Sequence, residues 1–182
     1  ENELAERYLL KLSKLIRMPL TNSRETEITI QRELDSLRMY LELEQMRFKN
    51  RFDFEFNTKL TPADLQKFIP PMLIQPFVEN AIIHGFKGLK QGGQIELTVY
   101  ELFGNTLFVQ IIDNGHGYDR AKNSNSVESH KSYGTQITSE RLSLFKDRYQ
   151  SEFNFTIKNR TDETGNSLGT EVNISIPVFD RN

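Results

Sequence analysis

The sequence predicts an α+β fold: a two-layer α/β sandwich with helices on one face of a mixed, mostly antiparallel sheet, preceded by a helical segment. Helical periodicity dominates the first fifty residues, where apolar side chains recur three and four positions apart. From Asn50 onward, short alternating segments typical of strands are separated by two helical segments. We therefore divide the chain into a helical segment, residues 1–49, and a mixed α/β domain, residues 50–182.

The composition is that of an ordinary globular domain and argues against several kinds of partner. A chain of 182 residues with 37% hydrophobic residues can build a substantial core. The net charge of -2 gives no basic field for nucleic acid or anionic membranes, so we expect no nucleic-acid partner. Cysteine is absent, which excludes disulfides and thiolate metal sites. No apolar run approaches the roughly 18 residues of a membrane span.

Two amphipathic helices are predicted in the helical segment. The first covers residues 3–18 and ends before Pro19, which breaks or kinks a helix. The second runs from about Thr29 to Phe48. Its apolar positions follow steps of four, three and four, at Ile30, Leu34, Leu37 and Leu41. Such a seam needs a partner, which is the first helix, the next domain or a second subunit.

The α/β domain opens with a strand and a helix. In RFDFEFN, three phenylalanines alternate with polar residues, which predicts a half-buried strand. A helix is then predicted from Pro71 to His84, with Pro71 in its first turn and Gly85 at its end.

A hairpin, a long loop and a helix–strand–strand unit complete the domain. Gly104-Asn105 is a hairpin signal between two predicted strands. Residues 114–134 are rich in Gly, Ser and Asn, and a loop of this length inside a domain is usually functional or disordered. The remaining predicted elements are strands near 94–102 and 106–113, a helix over 135–149, and strands near 152–160 and 170–178.

The first polar cluster lies in PFVENAIIHG, at the end of the helix predicted to finish at His84. Glu79, Asn80 and His84 stand among apolar residues there. A polar side chain on so apolar a helix needs a partner. Alone, the pattern fits a hydrogen-bonded core asparagine as well as a functional one.

The second cluster is DNGHGYD, directly after the apolar strand LFVQIID. Asp113 ends that strand, and Gly115 and Gly117 allow the backbone to turn tightly beside a ligand. A carboxylate in this position can accept a hydrogen bond from an amino group. Alone, the pattern fits a simple Asx turn equally well.

The third cluster is SYGTQITSERL, where the long loop meets the next predicted helix. Gly134 and Thr135 place free backbone N–H groups at a helix N-terminus, which suits a phosphate. Alone, the pattern fits ordinary helix capping by Thr135.

Together, the order and spacing of the three clusters resemble the Bergerat ATP-binding fold of gyrase, the large heat-shock chaperones, mismatch-repair ATPases and histidine kinases. Within that fold the chain looks like the sensor histidine kinases of the LytS/YesM type. IPPMLIQPFVENAIIHG resembles their asparagine box, DNGHGYD and SYGTQITSERL their two glycine boxes, and LGTEVNISIPV their closing glycine-plus-strand motif. The helical run from SKLIRM through ELDSLRMYLELEQMRF resembles the helix that precedes the ATPase domain in that family.

The resemblance implies a function for each cluster. Asn80 is expected to bind Mg²⁺ through its side-chain oxygen, and Asn80, Glu79 and His84 are the candidate catalytic residues, with His84 facing the phosphates. Asp113 is expected to bind the amino group of adenine. Residues 114–133 become a lid over ATP. The other expected nucleotide contacts are Gly115, Gly117, Gly134, Thr135, Gly169 and Thr170.

Two positions depart from patterns found within this fold. ATP-hydrolysing members carry a glutamate four residues before the magnesium-binding asparagine, where this chain has Pro76. We therefore expect phosphoryl transfer to a protein histidine rather than hydrolysis. Many histidine kinases carry a lysine three residues after the asparagine, where this chain has Ile83, and Lys87 or Lys90 is the candidate for that charge.

The family's phospho-accepting histidine lies in a Pro-His-Phe-like motif, and none of the three histidines here, His84, His116 and His130, belongs to one. His116 and His130 are expected to be solvated lid residues. The chain lacks an initiator Met, so we expect a fragment that binds ATP and magnesium without autophosphorylating at a native site.

The expected setting of that fragment is a homodimeric kinase with a response regulator as partner. The fragment would be the cytoplasmic domain of a bacterial membrane sensor, anchored only by segments outside it. The alternatives are a nucleotide-binding pseudokinase and a helical dimerisation protein that binds no nucleotide.

Overall fold

Residues 27–102, 104–117 and 153–180 are described by a computed structural model of the chain. Several sequence predictions lie outside these ranges: the helix over 3–18, the loop from 118 onward with His130, the residues Gly134 and Thr135, and the helix over 135–149. Within the described ranges, no helix is long and apolar enough to cross a membrane.

The described residues form seven strands, two α-helices and a short 3₁₀ helix over Asp64–Gln66. The strands are β1 (Ile28–Thr29), β2 (Phe52–Thr58), β3 (Phe68–Ile69), β4 (Gly93–Leu102), β5 (Thr106–Asp113), β6 (Asn154–Thr161) and β7 (Ser167–Pro177). The helices are α1 (Ile30–Arg47) and α2 (Gln75–Asn80), the second followed by a π-helical turn over Ala81–Gly85.

A five-stranded sheet in the order β2-β4-β5-β7-β6 organises these elements. The pair β2–β4 is parallel, and the other three pairs are antiparallel. In the β5–β7 register Asp113 lies opposite Thr170, so the end of β5 is beside the start of the closing strand. This arrangement confirms the predicted fold class, including the mixed and mostly antiparallel sheet.

Alternation along the strands produces one buried and one polar face. β5 alternates strictly between buried and half-buried residues, because successive side chains of a strand point to opposite faces of the sheet. The buried face is lined by Ile95, Leu97, Val99, Leu107, Val109, Ile111, Val172, Ile174 and Ile176. The other face carries polar pairs such as Gln110 and Asn173, whose side chains are hydrogen-bonded at 3.1 Å.

Helix α1 packs on the buried face of this sheet. Thr29 caps its start by accepting a hydrogen bond from the Arg32 N–H at 3.3 Å. Left-handed backbone at Lys49 and Asn50, with φ of 52° and 55°, ends it. The predicted bounds, Thr29 to Phe48, are therefore one residue wider at each end than the helix itself.

The partner of the α1 seam is the next domain. The four residues at steps of four, three and four belong to the same hydrophobic core as the strands. Because that core includes residues on both sides of Asn50, α1 and the sheet are stabilised by one shared set of apolar contacts. The division of the chain at residue 50 stays a prediction.

The helix predicted from about Pro71 to His84 is wrong at its start but not at its end, because a π-helical turn continues it to Gly85. It begins at Gln75, and its α-helical part ends at Asn80. Met72 has a φ of 59°, which is incompatible with a right-handed helix, so Pro71 cannot belong to the first turn. Pro76 takes that place, where a missing N–H costs little.

A second, two-stranded sheet ties the start of α1 to the chain before α2. β1 and β3 are antiparallel, with Ile28 opposite Ile69. The Ile30 N–H also donates to the Lys67 carbonyl at 2.9 Å. The segment that leads into α2 is thus fastened to the N-terminus of α1.

Candidate functional site

Asp113 is a buried carboxylate at the end of the central strand β5. It is 4% exposed, and its Oδ1 accepts hydrogen bonds from the N–H groups of Gly115 at 2.9 Å and Thr170 at 3.3 Å. Burial raises the pKa of Asp113, while the hydrogen bonds from Gly115 and Thr170 and the charge of Arg160 oppose that rise. Two amides thus fix one oxygen, and acceptor capacity remains on the carboxylate.

Three glycines pack their backbones around this carboxylate. A Cβ on Gly169 would lie 1.8 Å from the Asp113 carbonyl oxygen, and the φ of Gly169 is 108°. A Cβ on Gly115 would lie 2.4 Å from the Gly85 carbonyl oxygen. A Cβ on Gly85 would approach Asp113 Oδ1 to 3.3 Å. Only glycine fits at 115 and 169, because the obstructing atoms belong to the backbone.

Gly117 is restricted by side chains of strands β6 and β7. Its φ is 84°, and a Cβ there would lie 2.7 Å from Ser167 Oγ and 3.2 Å from Asn159 Oδ1. The glycines of DNGHGYD therefore serve the packing of this turn against its neighbours. The approach of a ligand to these glycines stays a prediction.

His116 binds the π-helical turn rather than only solvent. Its backbone N–H lies 3.0 Å from the Gly85 carbonyl oxygen, and its Nδ1 lies 2.9 Å from the same atom. Because a carbonyl only accepts, Nδ1 carries the proton in this contact. The side chain is exposed, as expected, but it is also anchored. Sequence reasoning missed this contact and the part that Gly85 plays in it.

The backbone directly after Asn80 widens into a π-helical turn. The Phe86 N–H donates to the Ala81 carbonyl at 3.1 Å, five residues back instead of four. Such turns insert one residue into a helix and are frequent at functional sites. The Asn80 side chain is half-buried and does not cap the turn that follows it. Its amide is thus not used as a helix cap.

Glu79 lies towards α1. Its Oε1 accepts a hydrogen bond from Gln75 Nε2 at 2.8 Å. Burial raises the pKa of Tyr40 and of Glu44, and the negative charge of Glu79 adds to both shifts. Both of those residues belong to α1, so the Glu79 carboxylate lies near enough to α1 for its charge to act on them.

Exposed apolar and basic side chains lie beside the π-helical turn. Ile83 is 48% exposed, and His84 next to it is exposed as well. Ile83 and Lys87 both line a cleft of about 230 Å³ that also includes Phe48, Arg51, Phe52, Ile82, Phe86, Gly88 and Leu89. Lys87 is therefore near Ile83, the position noted above as lacking a lysine. Lys90 does not line this cleft.

The structure brings together Asp113, Gly115, Gly169 and Thr170, and Gly85 of the π-helical turn that follows Asn80 packs against them. Gly134 and Thr135 lie outside the described residues. Among the residues that are described, no three His, Cys, Asp or Glu side chains form a cluster suited to a metal ion.

Sequence comparisons identify relatives of known class. A family model described as histidine kinase matches residues 1–52. The sensor histidine kinase/phosphatase LytS, from several strains of Staphylococcus aureus, is 36% identical over 147 residues, which are 79% of this chain and 25% of LytS. The chain thus spans about a quarter of the length of the curated relatives it matches.

Solved structures of histidine kinase domains share the fold of this chain. The catalytic domain of histidine kinase ThkA superposes with a TM-score of 0.57 at 16% identity, over 86% of this chain and 98% of that one. The histidine kinase domain of a blue-light activated kinase from Erythrobacter litoralis gives 0.57 at 15% identity, over 96% and 74%. From its match to LytS and the fold it shares with these domains, we conclude that the chain belongs to the sensor histidine kinase family of the LytS type.

Proposed function

We propose that this chain is the ATP-binding catalytic core of a two-component sensor histidine kinase. The observation that carries the proposal is the environment of Asp113, a buried carboxylate fixed at a strand end by the backbone of Gly115 and Thr170. Its remaining acceptor capacity suits the exocyclic amino group of adenine. The close backbone packing of Gly85, Gly115 and Gly169 supports this proposal, because it holds the carboxylate in one place.

Asn80 is the residue that we propose as magnesium ligand. Its amide is half-buried and does not cap the turn that follows it. Magnesium takes few protein oxygens when phosphates and water complete its octahedron, so a single amide oxygen fits. When bound, the ion neutralises charge on the β- and γ-phosphates.

We propose transfer to a histidine, upstream of residue 1 in the full-length protein, rather than to water. Pro76, in the first turn of α2, stands where hydrolysing members of the fold carry a glutamate, and it has no group that could activate water. In the transfer, an imidazole nitrogen forms a bond to the γ-phosphorus, and the bond from that phosphorus to the bridging oxygen of ADP breaks. ADP leaves, and the imidazole gives its proton to solvent. His84 at the end of the π-helical turn and the segment of Gly134 and Thr135 are the proposed phosphate contacts.

The proposed partners are a second copy of the kinase and a response regulator, whose aspartate receives the phosphoryl group from the histidine. The proposed location is the cytoplasmic side of a bacterial membrane, with the anchor in segments outside this chain.

The test combines nucleotide binding by this chain with autophosphorylation of the full-length protein. Calorimetry with Mg-ATP is expected to give one site per chain, and radiolabelled ATP is expected to label a histidine of the full-length kinase. Binding without labelling would identify the pseudokinase alternative. Absence of Mg-ATP binding by the folded chain would overturn the proposal and leave the helical dimerisation protein.

A further inference from the structure

A buried carboxylate connects α1 to the segment that leads into α2. Glu33 lies in the first turn of α1 and is 3% exposed. Its Oε2 accepts a hydrogen bond from the Met72 N–H at 2.9 Å, across 39 residues of sequence. A carboxylate is costly to bury unless hydrogen bonds compensate for the lost water, so the bond from Met72 is important for Glu33 at this position.

Met72 holds an unusual backbone conformation at that contact. Its φ of 59° is in the left-handed region, which residues other than glycine enter at a cost. Such a conformation persists only where the surroundings hold it, and it is found disproportionately at functional sites. The Glu33 carboxylate is a direct hydrogen-bond partner of this residue and is therefore one of the groups that hold it.

The conformation of Met72 determines how the chain enters α2. Leu73 and Ile74, the next two residues, are 1% and 0% exposed, and α2 begins at Gln75. Asn80 is the last residue of that short helix. Because only these two residues separate Met72 from α2, a change of backbone direction at Met72 would be transmitted to α2 and would move Asn80 relative to Asp113.

We propose that Glu33 is a positioning residue for the nucleotide site. Its carboxylate holds Met72 in the left-handed conformation and so fixes where α2 places Asn80. The inference rests on the proposed function, since the affected quantity is the affinity for Mg-ATP. Glu33 acts through Met72 and α2 and contacts no reacting atom.

Three substitutions test the hydrogen bond. Glu33→Gln keeps an acceptor oxygen at the same distance along the side chain, whereas Glu33→Met removes the acceptor at similar volume. Asp35→Asn alters an exposed carboxylate on the same helix, whose only described contact is with Gln31, and is the matched control. Mg-ATP affinity is measured by calorimetry at a temperature where each chain is folded, and amide exchange over residues 72–80 is measured without nucleotide.

The expected affinity loss is about tenfold for Glu33→Met, at most about threefold for Glu33→Gln, and none for Asp35→Asn. Exchange over 72–80 is expected to rise only in Glu33→Met. Adding Met72→Gly to Glu33→Met is expected to recover about threefold of the lost affinity, because glycine adopts the left-handed conformation without support.

A purely structural Glu33 would give a different result. Glu33→Met would then lower the melting temperature, while the folded variant bound Mg-ATP like the wild type, and this outcome would overturn the inference. If Glu33→Met does not fold, Glu33→Asp, which withdraws the carboxylate from Met72, replaces it with the same expectations. Wild-type protein that binds no Mg-ATP would instead overturn the proposed function, and amide exchange would still report on Glu33 and residues 72–80.

Discussion

The Gly85 carbonyl oxygen accepts two hydrogen bonds from His116, one from the backbone N–H at 3.0 Å and one from Nδ1 at 2.9 Å. The two residues are 31 positions apart. This pair fastens the π-helical turn after Asn80 to the glycine-rich turn after Asp113. The proposed magnesium ligand and the proposed adenine acceptor are thereby connected by backbone and one imidazole.

His116→Ala is expected to weaken Mg-ATP binding by about threefold to tenfold, the worth of one hydrogen bond. His116→Asn is expected to bind like the wild type, because an asparagine Nδ2 lies at about the position of an imidazole Nδ1 and can donate to Gly85. Calorimetry on both variants measures the difference. Equal affinities for the alanine and asparagine variants would show that the side-chain bond does not support the site.

Gly169→Ala is expected to lower the free energy of unfolding by about 2–4 kcal/mol, since its Cβ would overlap the Asp113 carbonyl at a positive φ. Gly165→Ala is the matched control: its φ is 87°, but nothing lies within 4 Å of its Cβ, so the expected loss is about 1 kcal/mol. Urea denaturation measures both. Similar losses in the two variants would mean that backbone conformation alone, and not the contact with Asp113, accounts for the effect.

Asp113→Asn is expected to separate stability from binding. Its amide oxygen can still accept from Gly115 and Thr170, but its NH₂ would face the amino group of adenine. The expected loss of Mg-ATP affinity is about a hundredfold, corresponding to about 3 kcal/mol. Unimpaired binding by the folded variant would contradict the proposed adenine contact.

The difference in stability between the wild type and Asp113→Asn is expected to depend on pH. Burial raises the pKa of Asp113 in the folded state, so folding favours its protonated form. Its stabilising contribution is complete below the unfolded value of about 3.9 and is lost as pH rises through the folded pKa. Asp113→Asn should therefore gain stability relative to the wild type across that window and keep a constant difference above it. Urea midpoints over a pH series measure this, and a difference that shrinks with rising pH would contradict it.

Asn80→Ala is expected to remove the magnesium-dependent part of ATP affinity and to leave magnesium-free binding unchanged, because a single amide oxygen is the proposed protein ligand. Calorimetry with magnesium and with a chelator measures the two parts. Loss of magnesium-free binding to the same extent would mean that Asn80 stabilises the fold or contacts adenine instead.

Local patterns predicted most of the fold. The apolar run LFVQIID and the hairpin signal at Gly104-Asn105 predicted the bounds of β5, and the seam beginning at Ile30 predicted α1 to within one residue at each end. The helix at Pro71 was misplaced because Met72 is left-handed, a conformation for which methionine has no preference. The Met72 N–H donates its hydrogen bond to Glu33, 39 positions away, and no local pattern contains that contact.

In the candidate site, too, the residues were recognisable from local motifs but their contacts were not. Asp113, Gly115 and Asn80 stand in recognisable motifs, so the residue types and their spacing were enough to single them out as candidates. That Gly85 meets Gly115, or that Asp113 accepts from an amide 57 residues away, depends on which strands are neighbours.

The sequence by itself determined the element types, the family and the side chains available for nucleotide chemistry, since these depend on residue type and on neighbours a few positions apart. Only the tertiary structure decided that α1 packs on the sheet, that Glu33 accepts a hydrogen bond from Met72, and that His116 binds Gly85. These contacts join residues distant in the chain, and they form only where core packing brings the backbones within hydrogen-bonding distance.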